Sequence, residues 1–329
     1  MRTLMRLSRL NVRLTAGVGL LTLMAACQAT TAPASDIADD STAAPTAPLG
    51  GDTTGAFPID RGDDGAHTPG TYKGLWLRLV DSGSPSVTAV DGVIGVVCVG
   101  MSNANQECGE YINRLRGEYA ADVSPAVRVV NCAVGGHAIE RWNDAAYDAT
   151  LWDDCVTRRL TNGGVRLDQV RVVYHKAANQ FTSGPGGAAL PLYPNAGSDY
   201  ENFHRNLGSF AARVRSKFPA VQAVYTSSRS YGGFSGNPGR GEPLSYEEGH
   251  ALNSWLRDNA TVDGVWYGWG PYIWAPACAA GVTNASGTCY DRGDYVDDGV
   301  HPSTLGRAKV SLMIHQRLLR EDWYRTAGS

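Results

Sequence analysis

The chain has 329 residues, 43% hydrophobic and 19% charged, with a formal net charge of −3. That is an ordinary globular composition, long enough for one sizeable core. It carries no basic footprint for nucleic acid, and no run of 18 or more apolar residues suggests a spanning helix beyond the amino-terminal segment.

Arg2, Arg6, Arg9 and Arg13 open the chain, and the stretch from Ala16 to Ala26 is short, apolar and ends in small residues, the pattern of an export signal. Leu23-Met24-Ala25-Ala26-Cys27 resembles a bacterial lipoprotein lipobox. The resemblance implies a signal over 1–27, acylation of Cys27 and a protein lipid-anchored at the bacterial cell envelope. Ordinary cleavage, giving a periplasmic or secreted protein, is the alternative. Residues 28–70 are rich in Ala, Thr, Pro, Ser, Asp and Gly without apolar periodicity, and read as a disordered tether. Residues 71–329 show no repeat and no second linker beyond about residue 85. They read as one domain, expected to be monomeric.

Strand-like apolar runs lie at 93–99, 127–133, 170–174, 221–226 and 263–267. Helical patterns fall between and after them, at 105–120, 144–162, 199–217, 245–259 and 303–321. Phe203, Leu207, Phe210, Val214 and Phe218 recur at spacings of three and four, one apolar face. Val310, Met313, Ile314, Arg317 and Leu318 do the same after a cap at Ser303. Alternation of strand and helix predicts an α/β fold, a three-layer sandwich around a parallel sheet. Ligands then bind at the carboxyl ends of the strands.

Six cysteines follow Cys27, an even number that suits disulfides in an exported protein. Cys278 and Cys289 flank a small-residue loop and are the best pair. Cys98 is expected inside its strand as a small apolar residue. No CxxC or Cys/His spacing suggests structural zinc.

Four segments carry polar groups to strand ends. Gly100-Met101-Ser102-Asn103 ends the first strand, where Ser102 is either a nucleophile on a tight turn or a cap for the next helix. Asn131-Cys132-Ala133-Val134-Gly135-Gly136-His137 ends the second. Its paired glycines permit a backbone amide to approach an oxyanion, or simply a turn. The third strand runs into His175-Lys176-Ala177-Ala178-Asn179-Gln180, where Asn179 offers a side-chain amide or local loop bonds. Near the end, Asp297-Asp298-Gly299-Val300-His301-Pro302-Ser303 places an aspartate three residues before a histidine. That is the base half of a nucleophile–base–orienter set. Asp291, Asp294, Asp297 and Asp298 also read as a solvated acidic loop or a weak calcium site, although the EF-hand spacing is missing.

In this order the four segments resemble the SGNH hydrolase superfamily, the GDSL-type esterases, over about 93–320. The blocks are Gly-Met-Ser with Ser102, Asn-Cys-Ala-Val-Gly-Gly with Gly136, Ala-Ala-Asn with Asn179, and Asp-Gly-Val-His-Pro with Asp298 and His301. Met101 stands where the family usually has Asp, and Gln180 replaces the Asp that commonly follows the third-block Asn. The chain also resembles a group of bacterial SGNH-like proteins sharing the segments at 100–103, 227–233 and 269–274.

The resemblance implies a flavodoxin-like sheet and a serine esterase acting through an acyl-serine, with no metal or organic cofactor. Ser102 would be the nucleophile, His301 the base and Asp298 its orienter. The Ser102 and Gly136 amides and the Asn179 side chain would hold the oxyanion. Arg229, Tyr231 and Trp269, in aromatic segments near the catalytic loop, are the substrate-binding candidates, or packing residues; Arg229 has Glu242 and Glu248 as alternative partners. Aromatic faces beside polar groups suit sugars, so the expected substrate is a carbohydrate O-acetyl ester, such as an acylated polysaccharide. A surface-anchored carbohydrate-binding protein on an inactive hydrolase fold, or an O-acyltransferase, are the competing readings.

Overall fold

The first strand, β1 (Ile94–Gly100), is buried along its whole length, and the sheet extends from it on both sides. In a computed structural model the described residues are 79–326, apart from 181, 184–187, 189, 192–194, 282, 285 and 286. The expected signal over 1–27, Cys27 and the tether over 28–70 lie outside them.

After β1 come α1 (Ser102–Leu115), β2 (Val127–Asn131) and α2 (Ile139–Asn143). Two short helical pieces follow, α3 (Trp152–Asp154) and α4 (Leu160–Asn162), joined by a π-helical turn at Cys155–Arg159. Then come β3 (Val170–Lys176), α5 (Asp199–Lys217), β4 (Ala223–Ser227) and α6 (Leu244–Asp258). The chain ends with β5 (Thr261–Val262), β6 (Val265–Trp269) and α7 (Thr304–Leu318).

The strand order is β2-β1-β3-β4-β6-β5, parallel except for the short β5 at the edge. This is the flavodoxin-like order with one antiparallel strand added. The crossover through α1 runs leftward and those through α5 and α6 rightward. Right-handed crossovers therefore put α1 on one face and α5 and α6 on the other. α7 packs on α1, and α2 on α5, completing three layers. The order reverses between β1 and β3, so the carboxyl ends of those strands open a crevice.

The apolar stripe predicted for α5 is buried at Phe203, Leu207, Phe210 and Val214, with Phe218 just beyond. Each such side chain is worth about 1.5–3 kcal/mol relative to exposure. Ser198 caps that helix through the Glu201 amide. Ser303 caps α7 through the Leu305 and Gly306 amides, as expected.

Two expectations need correction. The single helix over 144–162 is broken: the Asp144 carboxylate accepts the Ala146 amide and starts a separate short turn at Ala145–Tyr147. Cys98 is not a free apolar side chain but is bonded to Cys108, and Cys132 is bonded to Cys155. The pairing of Cys278 with Cys289 is as predicted.

Candidate active site

Gly100 ends β1 at a φ of 150°, and a Cβ there would lie 1.9 Å from the Lys176 carbonyl oxygen. Only glycine lets the strands approach this closely while the chain turns into α1. Met101 is the N-cap of α1 and makes no side-chain cap bond. Ser102 is the first helical residue, and its hydroxyl does not cap the helix. It meets His301 Nε2 at 2.8 Å instead. The capping alternative for Ser102 is therefore set aside by geometry.

His301 reaches Ser102 from the loop before α7. Its Nδ1 lies 2.5 Å from Asp298 Oδ2, and Asp298 Oδ1 accepts the Val300 and His301 amides at 2.9 Å each. Partial burial alone would raise the Asp298 carboxyl. The hydrogen bonds from the His301 ring and the two amides outweigh it and hold the group at about 2. A carboxylate so held stays ionised and fixes the ring with its proton on Nδ1, leaving Nε2 to accept. The loop's shape depends on Gly299, at a φ of 67°, where a Cβ would run into the Phe234 carbonyl. Asn103, next to the serine, ties the two halves together by donating to the Val300 carbonyl at 3.0 Å.

On the β2 side, the glycine turn is fastened to the nucleophile turn. The Val134 amide and the Trp142 indole both donate to the Gly100 carbonyl, and Asn105 donates to the Ala133 carbonyl. These bonds bring Gly135 against Ser102: a Cβ on Gly135 would sit 3.8 Å from the Ser102 Cβ. Gly136 follows at a φ of 75° on the exposed rim. The paired glycines that stood out in the sequence thus lie beside the serine, Gly135 against it and Gly136 at the rim.

Asn179 is corrected. It is buried, its Nδ2 donates to the Asp199 carbonyl and to Asp199 Oδ1, and its Oδ1 accepts from Asn206. Its backbone amide goes to Glu248 Oε1. These bonds direct its side chain to the start of α5 and to Asn206 rather than toward Ser102. Burial, joined by their mutual repulsion, raises Glu248 well above the usual carboxylate range, and burial raises Asp199 to about 6.

The substrate-binding candidates separate. Arg229 and Tyr231 line a cavity beside Met101, Asn103 and Val300, the neighbours of Ser102 and His301. Arg229 Nε also lies 3.6 Å from Glu248 Oε2, one of the partners expected for it. Trp269 is corrected to a core residue: it is 5% exposed, donates to Asn253 Oδ1 and packs edge-on against Tyr272.

Below the site, Lys176 donates to both carboxylate oxygens of Glu107 at 2.6 Å, with 4% and 0% of the two side chains exposed. Burial raises Glu107 and lowers Lys176, while their attraction opposes both shifts. The sequence held a signal for this pair. Glu107 shares the buried face of α1 with Ala104, Cys108 and Tyr111, a charge among apolar positions. Among the described residues no group of three or more His, Cys, Asp or Glu side chains could hold a metal ion. Asp294, from the acidic loop, is buried and bonded to Lys309.

No family model matches the chain, and no curated protein matches it. Solved structures similar to it include a lipase/acylhydrolase from Enterococcus faecalis, at 12% identity over 69% of this chain and 96% of that one, with a TM-score of 0.44. Another is a catalytic mutant of an acetylxylan esterase from Geobacillus stearothermophilus, at 14% identity over 71% and 97%, TM-score 0.41. A third is a GDSL-like lipase from Bacteroides thetaiotaomicron, at 14% identity over 71% and 92%, TM-score 0.39. In the chain itself, the Ser102, Gly136 and His301 blocks meet at the end of β1, and the Asn179 block stands behind them.

Proposed function

We propose that this chain is a serine ester hydrolase, with a carbohydrate O-acetyl ester as its substrate. The observation that carries the reading is the chain of contacts from Ser102 Oγ through the His301 ring to Asp298. A binding protein on the same fold has no use for a histidine poised between a hydroxyl and a low-pKa carboxylate.

In this mechanism His301 Nε2 takes the Ser102 proton as Oγ attacks the ester carbonyl carbon, and Asp298 stabilises the imidazolium. The oxyanion is held by the Ser102 amide at the start of α1 and by amides of the Gly135–Gly136 turn. One such donor is worth roughly 3–4 kcal/mol of the barrier. The positive end of α1 adds to the same field. His301 returns its proton to the leaving alcohol oxygen, and water then cleaves the acyl-Ser102 by the same steps in reverse roles. The disulfides fit an oxidising compartment, and the expected lipid on Cys27 would hold the enzyme facing polymers outside the cell.

The test incubates the purified protein with p-nitrophenyl acetate and with acetylated and deacetylated polysaccharides, beside Ser102→Ala. Release of acetate that requires Ser102 supports the reading. Turnover that survives Ser102→Ala removes Ser102 as nucleophile, and turnover confined to p-nitrophenyl acetate removes the carbohydrate substrate.

A further inference from the structure

The sheet order places Ser102 between two different walls. On the β2 side Gly135 lies against the serine. On the β3 side a cavity of about 40 Å³ opens, walled by Met101, Val300, Ala177, Ala178 and Tyr231. Lys176, Arg229 and Arg240 also border it; the Lys176 ammonium is committed to Glu107, and Arg229 faces Glu248 at 3.6 Å. A buried water needs about 10–15 Å³, so the cavity has room for about three non-hydrogen atoms.

Met101 immediately precedes the nucleophile, and Val300 immediately precedes the base. Their wall is held closed by the Asn103–Val300 hydrogen bond. The cavity is thus lined by the chain neighbours of both reacting side chains. Met101 caps nothing through its side chain, so packing against this space is the role its position leaves it.

We propose that this cavity receives the acyl group of the ester and that Met101 limits it to chains of about two to four carbons. The inference rests on the ester-hydrolase reading and goes past it. It assigns a specificity-determining role to a residue outside the proton-transfer set. Met101→Ala removes three non-hydrogen atoms from the wall and about doubles the space available to the chain. Met101→Leu keeps the bulk.

The experiment measures kcat/KM for p-nitrophenyl acetate, butyrate, hexanoate and octanoate with wild type, Met101→Ala and Met101→Leu. Wild type is expected to lose at least about tenfold between butyrate and hexanoate, the scale on which one or two misfitting methylenes count. Met101→Ala should raise the hexanoate-to-acetate ratio by a similar factor, and Met101→Leu should leave it near wild type. Wild-type turnover of octanoate equal to that of acetate overturns the proposal. So does an unchanged ratio in Met101→Ala that still labels at Ser102. Should Met101→Ala not fold, Val300→Ala opens the same wall, and an unchanged ratio there overturns the proposal equally. Loss of the ester-hydrolase reading looks different: no turnover at any chain length and no labelling of Ser102.

Discussion

Replacing Asp298 by Asn leaves the size of the side chain unchanged and tests the electrostatic logic of the site. Three donors converge on this carboxylate: the His301 ring at 2.5 Å, and the Val300 and His301 amides at 2.9 Å each. An asparagine oxygen can keep both amides, so the turn should survive. Its NH₂ then faces Nδ1 and forces the ring proton onto Nε2, where it blocks acceptance of the Ser102 proton. In a serine triad the wrong tautomer costs about 10⁴ in kcat. Asp298 is 44% exposed, however, and water can compete for the ring. We expect a loss of about 10²–10⁴ in kcat, or about 3–5.5 kcal/mol at 1.36 kcal/mol per tenfold. The assay is steady-state hydrolysis of p-nitrophenyl acetate, with a thermal melt to show the fold is kept. A variant within tenfold of wild type, melting normally, would refute Asp298 as the orienting group.

The disulfide between Cys98 and Cys108 encloses the nucleophile turn across a separation of 10 residues. Loop closure of that size is worth about 2–3 kcal/mol. The Cys98→Ala/Cys108→Ala double variant should therefore melt lower and label more slowly at Ser102, and equal labelling would show that the bond steadies the fold alone. Asn179→Ala should lower the melting temperature, because Asp199 and Asn206 lose their partner, but should cost kcat less than the roughly 10²–10³ of a true oxyanion donor. A full-sized kcat loss would mean that Asn179 turns toward the substrate. Asp199 and Glu248 both have carboxyls raised in the fold, so their contribution to stability is complete below about pH 4 and is lost as pH rises through about 6 and beyond. Denaturant midpoints of wild type should fall over that window. Glu248→Gln should flatten the fall, and an identical pH dependence in the variant would contradict the shared burial.

Much of this was legible because the strands and α5 to α7 are long and strongly periodic. The α5 stripe from Phe203 to Val214 is buried as its spacing demanded, and the Ser303 cap follows from one residue type at one position. The segment over 144–162 was not, since a local carboxylate–amide bond at Asp144 competes with helical periodicity. Asn179 shows the limit for the site. Asp199 opens α5 and Glu248 lies inside α6, so the pair that takes its hydrogen bonds exists only after tertiary packing. Trp269 failed for a related reason, since an aromatic side chain near a catalytic loop serves the core or a ligand equally well until Asn253 is seen beside it. Met101, which had no reading in the sequence, gains one from the cavity it borders.

The most direct measurement is stoichiometric labelling by a fluorophosphonate, followed by intact mass and peptide mapping at neutral pH. One adduct per chain is expected, carried on Ser102, absent in Ser102→Ala and slowed at least about a hundredfold in His301→Ala, the lower end of what a general base supplies. An unlabelled wild-type protein that is folded, or an adduct on any other residue, would contradict it.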